Sequence, residues 1–177
     1  MRILDTDFEG LFLIENFFVE DSRGSFTKVF NHDLFERTGV NFSPKEIYYS
    51  VSHKDVIRGM HFQTPPTDHE KLVYVASCSI IDVVLDIRKG SKTYGKYFSI
   101  KLDEHKNSIF IPSGFAHGFK SLVDGTIVVY NQTSCYSKEH DSGILWNSFG
   151  FDWGLEEPIV SERDKSFIDF RNFVSVF

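Results

Sequence analysis

The chain has 177 residues, which is enough for one domain with a buried core. Its formal net charge is −6 and it contains no block of basic residues, so the composition argues against a nucleic-acid-binding surface. No long apolar run follows Met1, and we expect neither a signal peptide nor a membrane span. The two cysteines, Cys78 and Cys135, form neither a CxxC pair nor a disulfide framework, which favours a reducing, cytoplasmic location.

The N-terminal part carries signals for two strands, a turn and one short helix. The apolar run Gly10–Ile14 is typical of a strand. The turn residues Asp21–Gly24 precede a second strand, Ser25–Phe30, in which polar and apolar residues alternate. Asn31 is a good N-cap for a short helix, and Gly39 is a suitable end for it.

The rest of the chain predicts β structure. Turn clusters, and not helices, separate its apolar runs, which favours an all-β sandwich or barrel over a parallel α/β fold. After Gly143 the chain is rich in aromatic residues, and we expect it to pack across the barrel and to end in a short helix near Asp164–Asn172. No linker is evident, so residues 1–177 are expected to form a single domain. The predicted strands are Ile47–Ser52, Leu72–Ala76, Ile80–Ile87, Tyr97–Leu102, Ser108–Ile111 and Thr126–Gln132.

A histidine lies in the apolar stretch Val56–Gln63 and has two basic neighbours. His61 follows Arg58 by three residues, so a regular strand would place them on opposite faces, but a bend at Gly59 could bring both to one site. Lys71 comes ten residues later, after a loop that two prolines stiffen. A buried Arg and Lys without nearby acids would favour an anionic ligand or intermediate. The alternatives are an ordinary core histidine and a lysine that pairs with acids of its own loop.

The segment Pro112–His117 has the Pro-x-Gly-x-x-His spacing of the second cupin motif. Metal-binding cupins combine this histidine with an earlier His-x-His and a glutamate. That first motif is missing here, because Phe62 and Gln63 follow His61. A transition-metal site generally needs three or four protein ligands. The sequence therefore favours a cupin shape without a cupin metal.

Three further residues remain ambiguous when they are taken alone. Tyr130 lies near the end of a predicted strand and fits an ordinary barrel aromatic. Tyr136 lies just beyond that strand, next to a polar run, and its hydroxyl could project into the mouth of a pocket. Asp164 lies among charged residues and by itself fits a solvated surface acid.

Together, these residues resemble a known family. From about Asp21 to Asp164 the chain resembles the dTDP-4-dehydrorhamnose 3,5-epimerase family of the cupin superfamily. The resemblance implies a cupin-type jelly-roll β-barrel or sandwich with a few short helices. Seven blocks carry it in order: Asp21–Phe26, Arg58–Gln63, Lys71–Val73, Asp82–Arg88, Pro112–Phe119, Gly143–Asn147 and Ser161–Asp164.

The resemblance also implies roles for individual residues. His61 would be the general base, Asp164 would orient and charge its imidazole, Lys71 would stabilise an oxyanion, and Tyr136 would be the acid on the opposite face of the sugar. The substrate would be a nucleotide-diphosphate sugar, and neither a metal nor an organic cofactor would be needed. The family also implies a homodimer whose N-terminal strand reaches the partner's pocket. The predicted substrate contacts are Arg23, Phe26, Lys28, Glu46, Tyr48, Arg58, Gln63, Asp82 and His117.

The residue types fit that chemistry on their own terms. A 4-keto group acidifies the protons at C3 and C5, because removal of either proton gives an enolate. Histidine has a pKa near neutral, which suits a general base. A fixed cation at the keto oxygen stabilises charge that develops in the transition state. Inversion then needs a second proton donor on the other face of the sugar.

Three positions depart from the family where it usually contacts the nucleotide base. Lys28 replaces a common Glu, Glu46 a common Gln, and Tyr48 a common Asn. Because Glu46 is an obligate acceptor, cytosine or guanine would suit it better than thymine. The alternative is local drift, with thymine still bound.

Other functions stay open at this stage. An epimerase acting at only C3 or C5 would use the same residues. The other classes are a non-catalytic sugar-nucleotide-binding barrel and a metal-dependent cupin oxygenase.

Overall fold

A computed structural model describes residues 1–177, and it confirms the all-β prediction. No helix has the length and apolar character needed to cross a membrane. The strands are β1 (Arg2–Asp5), β2 (Phe12–Glu15), β3 (Phe17–Asp21), β4 (Gly24–Lys28), β5 (Glu46–Ser52), β6 (Ile57–Gln63), β7 (Lys71–Ser77), β8 (Ser79–Asp86), β9 (Tyr97–Asp103), β10 (Asn107–Ile111), β11 (Phe115–Ser121), β12 (Thr126–Gln132) and β13 (Asp141–Gly143). The helices are α1 (His32–Glu36), α2 (Glu162–Lys165) and the 3₁₀ turn Phe170–Asn172.

Two sheets face each other in a jelly-roll sandwich, as predicted. One sheet has the order β1-β2-β10-β7-β12-β5 and the other β13-β6-β11-β8-β9. Strands β3 and β4 form a separate hairpin. The main core lies between the two sheets and includes Val73, Val84, Ile109, Phe119 and Val128. Period-2 alternation along the strands supplies this inward-facing apolar set.

The C-terminal segment covers the outer face of the five-stranded sheet. Met60 and Phe62 of β6 point outward into a second apolar cluster, which Phe149, Trp153 and Val160 close from the segment. Parallel bridges Val56↔Ile159 and Ile144↔Ile168 fix the path of the segment. Adjacent side chains on a strand point to opposite faces of the sheet. Because Met60 and Phe62 are buried on the outer face, His61 between them points inward.

The predicted short helix after Asn31 is confirmed. Helix α1 begins at His32, and the Asn31 side chain accepts a hydrogen bond from the Leu34 N–H at 3.0 Å. Gly39 has a φ of +81°, the left-handed conformation that favours glycine after a helix. Phe35 of α1 packs against Phe42 and Phe110, and these residues belong to a third apolar cluster.

The single helix predicted over Asp164–Asn172 is wrong. Two short helical turns take its place, and each has its own N-cap. The Ser161 hydroxyl accepts from the Asp164 N–H at 3.1 Å, and the Asp169 carboxylate accepts from the Arg171 N–H at 2.9 Å. Between them Ile168 bridges to Ile144 in an extended conformation. The tertiary contact therefore overrides the local helical signal.

Candidate active site

Two adjoining cavities open between the sheets at one end of the sandwich. The outer cavity has a volume of ≈ 310 Å³ and the inner one ≈ 170 Å³, and they share Tyr48, His61 and Lys71. The outer lining also includes Glu46, Gln63, His69, Gln132, Tyr136, Asp141 and Arg163. The inner lining also includes Ser50, Arg58, His117, Phe119 and Tyr130.

A bulge in β6 brings Arg58 and His61 to the same cavity. Phe119 pairs with Arg58 and His117 with His61, so two steps along β11 span three steps along β6. The extra residue cancels the alternation that would separate the two side chains. Gly59 lies inside the bulge with a φ of +142°, and a Cβ there would meet the Gly118 Cα at 2.5 Å. This is the bend at Gly59 that the sequence predicted.

The guanidinium of Arg58 is anchored on the opposite sheet. Its Nε donates to Ser52 Oγ at 3.0 Å and its Nη2 to the Val51 carbonyl at 3.2 Å, both at the end of β5. No carboxylate pairs with it, so its positive charge remains available to an anionic ligand at the cavity wall.

His61 and Asp164 form a hydrogen-bonded dyad. His61 Nε2 lies 2.8 Å from Asp164 Oδ1, and the other carboxylate oxygen accepts from the Gly59 N–H at 3.0 Å. Burial alone would raise the pKa of Asp164, but these hydrogen bonds hold it below its usual value. The ionised carboxylate therefore accepts the Nε2 proton, which leaves the lone pair of His61 on Nδ1.

The pKa of His61 reflects several opposing influences. Burial lowers it, and Asp164 opposes that effect through its hydrogen bond and its charge. The positive charges of Lys71 and Arg163 lower it further. His61 is consequently neutral near pH 7 and able to accept a proton.

A second histidine–carboxylate pair lies beside the first. His117 is opposite His61 in the strand register, and its Nε2 lies 2.8 Å from Asp82 Oδ2. Both members are buried, with side-chain exposures of 4% and 0%. Asp82 Oδ1 has no hydrogen-bond partner. Of these two predicted substrate-contacting residues, His117 lines the inner cavity, and Asp82 on the adjacent strand β8 lies behind it.

Lys71 is a buried cation on the floor of both cavities. It begins β7, and its Nζ lies 3.5 Å from the His61 carbonyl oxygen. Burial lowers its pKa to about 8, while the charges of Asp141 and Asp82 oppose that effect. Below that pH the ammonium is largely protonated and offers positive charge to an oxyanion.

The two tyrosines occupy different parts of the site. Tyr130 is 8% exposed and lines the inner cavity, where its hydroxyl lies 3.2 Å from Ser50 Oγ. Burial raises its pKa, so the hydroxyl keeps its proton. Tyr136 is 59% exposed at the mouth of the outer cavity, and its hydroxyl donates to Asp141 Oδ2 at 3.4 Å.

Glu46, Tyr48 and Gln63 shape the wall of the outer cavity. Glu46 Oε2 accepts from the Tyr136 N–H at 2.6 Å, and Gln63 Oε1 accepts from the Ser137 N–H at 2.6 Å. The Tyr48 ring stacks on Tyr130 at 4.8 Å, and burial raises the pKa of Tyr48 to about 12. These contacts hold the segment that carries Tyr136 against the cavity.

The remaining predicted contacts lie outside these cavities. Arg23, Phe26 and Lys28 are on the β3–β4 hairpin. Arg23 is 88% exposed in its side chain and pairs with Asp21 at 2.6 Å, and Phe26 is 55% exposed. Within one chain, the hairpin does not meet the other predicted site residues.

Sequence reasoning missed several residues of the lining, among them His69, Asp141 and Arg163, and it read Tyr130 as a barrel aromatic. His69 is 9% exposed, its Nε2 has no partner, and burial lowers its pKa to about 3. Arg163 and Asp141 pair at the cavity mouth at 2.5 Å. Arg163 precedes Asp164 directly, and that adjacency is a signal that could have identified it.

Metal-ligand geometry occurs elsewhere in the protein. His32, Asp33 and Glu36 are close enough to share an ion, but all three are exposed on α1. The cavity histidines belong to no such group. A neutral base, a buried cation and a buried hydroxyl around one cavity suit abstraction of a proton next to a carbonyl.

We predict that Asp164→Asn lowers the pKa of His61 by about 1 unit or more. Asp164 is the group that raises this pKa against burial, so its loss leaves the lowering influences unopposed. Titration of the histidine ring signals by NMR measures the change. Glu162→Gln is the matched control, because Glu162 is on the same helix, pairs with Lys165 and has a side chain that is 90% exposed. An unchanged or raised pKa in Asp164→Asn would contradict the dyad.

Known proteins are similar to this chain in sequence and in fold. Residues 5–172 match the family model described as dTDP-4-dehydrorhamnose 3,5-epimerase. A dTDP-4-dehydrorhamnose 3,5-epimerase of Methanothermobacter thermautotrophicus is 40% identical over 176 residues, covering 96% of this chain and 95% of the relative.

Two solved structures are also similar. The Bacillus anthracis dTDP-4-dehydrorhamnose 3,5-epimerase with TDP and PPi bound has a TM-score of 0.90 and 36% identity, covering 94% of this chain and 97% of that one. The Legionella pneumophila dTDP-6-deoxy-D-glucose-3,5-epimerase in complex with dTDP-4-keto-L-rhamnose has a TM-score of 0.91 and 31% identity, covering 98% and 94%. The match extends over nearly the whole chain, and this protein belongs to the dTDP-4-dehydrorhamnose 3,5-epimerase family.

Proposed function

We propose that this protein epimerises a nucleotide-diphosphate-linked 4-keto-6-deoxy sugar at C3 and C5, in deoxysugar and surface polysaccharide biosynthesis. The observation that carries the proposal is the His61–Asp164 dyad, which faces the same cavity as the buried Lys71. Residues 1–177 would act as one cupin-like domain. The two unpaired cysteines fit work in the cytoplasm.

The reaction follows from the positions of these groups. His61 Nδ1 takes the proton from the carbon next to the keto group, and the electron pair moves onto the keto oxygen as an enolate. Asp164 stabilises the imidazolium that forms, and Lys71 stabilises the oxyanion. A general base of this kind contributes ~10²–10⁴-fold to the rate. Reprotonation on the opposite face inverts the carbon, and the same steps at the second carbon complete the reaction.

Two tyrosines compete for the role of proton donor. The family resemblance assigns the role to Tyr136, which is exposed at the cavity mouth. The geometry favours Tyr130, since its buried hydroxyl shares the inner cavity with His61, Arg58 and His117. A tyrosine with a raised pKa keeps its proton at neutral pH and can deliver it to a carbanion.

The nucleotide base has two candidate identities. The two solved relatives bind thymidine nucleotides, which supports thymine. The acceptor Glu46 supports cytosine or guanine, because one of its oxygens holds the Tyr136 N–H and leaves the other free at the cavity wall.

We also propose a homodimer with shared sites. Strand β5 is an edge strand, and Ile47, Tyr49 and Val51 on it are 62%, 67% and 54% exposed. The β3–β4 hairpin carries a second exposed apolar set that includes Phe18 and Phe26. An edge and a hairpin of this kind are suited to pairing between chains, which would bring Arg23, Phe26 and Lys28 to the partner's cavity.

The first prediction is exchange at both carbons. In D₂O the protein should remove the C3 and C5 proton signals of a 4-keto-6-deoxy sugar in NMR spectra and give an epimerised product, and His61→Ala should abolish this. The dTDP, CDP and GDP forms are compared, and the fastest identifies the base. Exchange at one carbon would identify a mono-epimerase. Binding without any exchange would leave a sugar-nucleotide-binding protein and refute the epimerase.

The second prediction separates the tyrosines. Tyr130→Phe should reduce formation of the inverted product by ~10²-fold or more, because the donor is gone while His61 still exchanges the proton. Tyr136→Phe should act mainly on KM. Product formation and deuterium uptake are measured together. A larger loss of inversion in Tyr136→Phe would restore the assignment made from the family resemblance.

The third prediction concerns assembly. Sedimentation should give twice the 20.5 kDa mass of one chain. Tyr49→Lys should yield monomers with strongly reduced activity, because it places a charge on the exposed edge face. Val174→Lys is the control, since Val174 is 82% exposed on the C-terminal tail. A fully active monomer would rule out the shared site.

A further inference from the structure

A positive charge lies immediately beside the His61–Asp164 dyad. Arg163 precedes Asp164 on α2, and its Nη1 lies 3.4 Å from His61 Nε2 and 3.7 Å from Asp164 Oδ1. The guanidinium also covers the Phe167 ring at 4.9 Å. Arg163 and Asp164 are thus already within ion-pair distance, and a small rotation of the arginine side chain would shorten this contact to a hydrogen bond.

One oxygen of Asp164 faces both His61 and Arg163. Its Oδ2 is occupied by the Gly59 N–H at 3.0 Å, and its Oδ1 accepts from His61 Nε2 at 2.8 Å. Arg163 Nη1 points at the same Oδ1. The guanidinium and the imidazole N–H are both donors to this oxygen, so a closer guanidinium would weaken the hydrogen bond between Asp164 and His61.

A second carboxylate draws Arg163 away. Asp141 Oδ2 lies 2.5 Å from Arg163 Nη2, and its side chain is only 18% exposed. Its backbone is fixed on β13, where it pairs with Gln63, and Gly143 two residues later pairs with His61. The strand that carries the base therefore also fixes the acceptor for Arg163.

We propose that Asp141 is a positioning residue, which holds the Arg163 guanidinium off Asp164 and so reserves Asp164 for His61. The inference rests on the proposed function and deepens it. The same Asp141 oxygen accepts from Tyr136 at 3.4 Å, so one carboxylate sets the position of two side chains at the cavity mouth. Without the negative charge of Asp141, Arg163 would move closer to Asp164, and the imidazolium of His61 would share its counter-ion with a second cation.

The pH dependence separates this role from a simple charge effect. The charged groups that act on His61 are Asp164, Lys71 and Arg163. If Arg163 captures Asp164, the pKa of His61 falls, and the acid limb of the kcat/KM profile moves to lower pH. Loss of Asp141 also removes a charge that raises the pKa of Lys71, so the alkaline limb moves to lower pH whether or not Arg163 is present.

The test is a double-mutant cycle with Asp141→Asn and Arg163→Gln. Asp141→Asn should lower the pKa of His61 by about 1 unit, as measured by NMR titration of the ring and by the acid limb of kcat/KM. In the Arg163→Gln background the same substitution should change it by less than about 0.3 units. Asp141→Glu should restore most of the pKa, because it returns the charge.

Asp169→Asn is the matched control, since Asp169 pairs with Arg171 at 2.9 Å outside the cavities and its loss changes the net charge equally. An equal shift of the His61 pKa in both Arg163 backgrounds, or a shift of the alkaline limb alone, would overturn the proposal. The NMR titration needs no substrate. A wild-type protein that epimerises no nucleotide sugar would therefore refute the proposed function while the cycle still measured the coupling of Asp141 and Arg163.

Discussion

The site depends on the hydrogen bond between His61 and Asp164. It joins a strand of the five-stranded sheet to the C-terminal segment across 103 positions of sequence, over a distance of 2.8 Å. The bond fixes the tautomer of His61 and supplies the counter-ion that the protonated ring needs inside a partly buried cavity. The contacts that hold the segment on the sheet, above all the cluster around Met60, Phe62 and Trp153, therefore also keep His61 hydrogen-bonded to Asp164.

The cavity concentrates charge at one end of an otherwise apolar sandwich. Lys71, Arg58 and Arg163 contribute positive charge, and Asp82, Asp141 and Asp164 balance it. Burial lowers the pKa of Lys71 and of His61, and the neighbouring carboxylates oppose that effect. The balance keeps the lysine cationic and the histidine neutral in the same pH range, and proton abstraction beside a carbonyl requires that combination.

The sequence predicted most of the strands, but it did not show which inward-facing residues line the cavity. Alternation and turn residues predicted the strands from Ile47 to Gln132, whereas the short strands β1 and β13 have no local signal and form because the sheet is there to pair with. Motifs located His61, Lys71 and His117, which the sheets then bring together.

Tyr130 was read as a core aromatic, because a period of two residues shows which side chains face inward but not which of them line a cavity. Asp164 is among charged residues, and only the family resemblance distinguished it from a surface acid. The hairpin with Arg23 lies apart from the cavity within one chain, and no local pattern in the sequence predicted that separation.

The two histidine–carboxylate pairs differ in what supports them. His117 and Asp82 are on neighbouring strands of one sheet, and both are almost fully buried. His61 has a side chain that is 31% exposed, and its partner comes from a short helix in the C-terminal segment. The first pair is fixed by strand pairing, so it keeps its geometry as long as the sheet is folded. The second exists only while the segment is docked on the sheet. The geometry of the His117–Asp82 pair therefore depends on the sheet alone, whereas the basicity of His61 depends on contacts that lie outside the sheet.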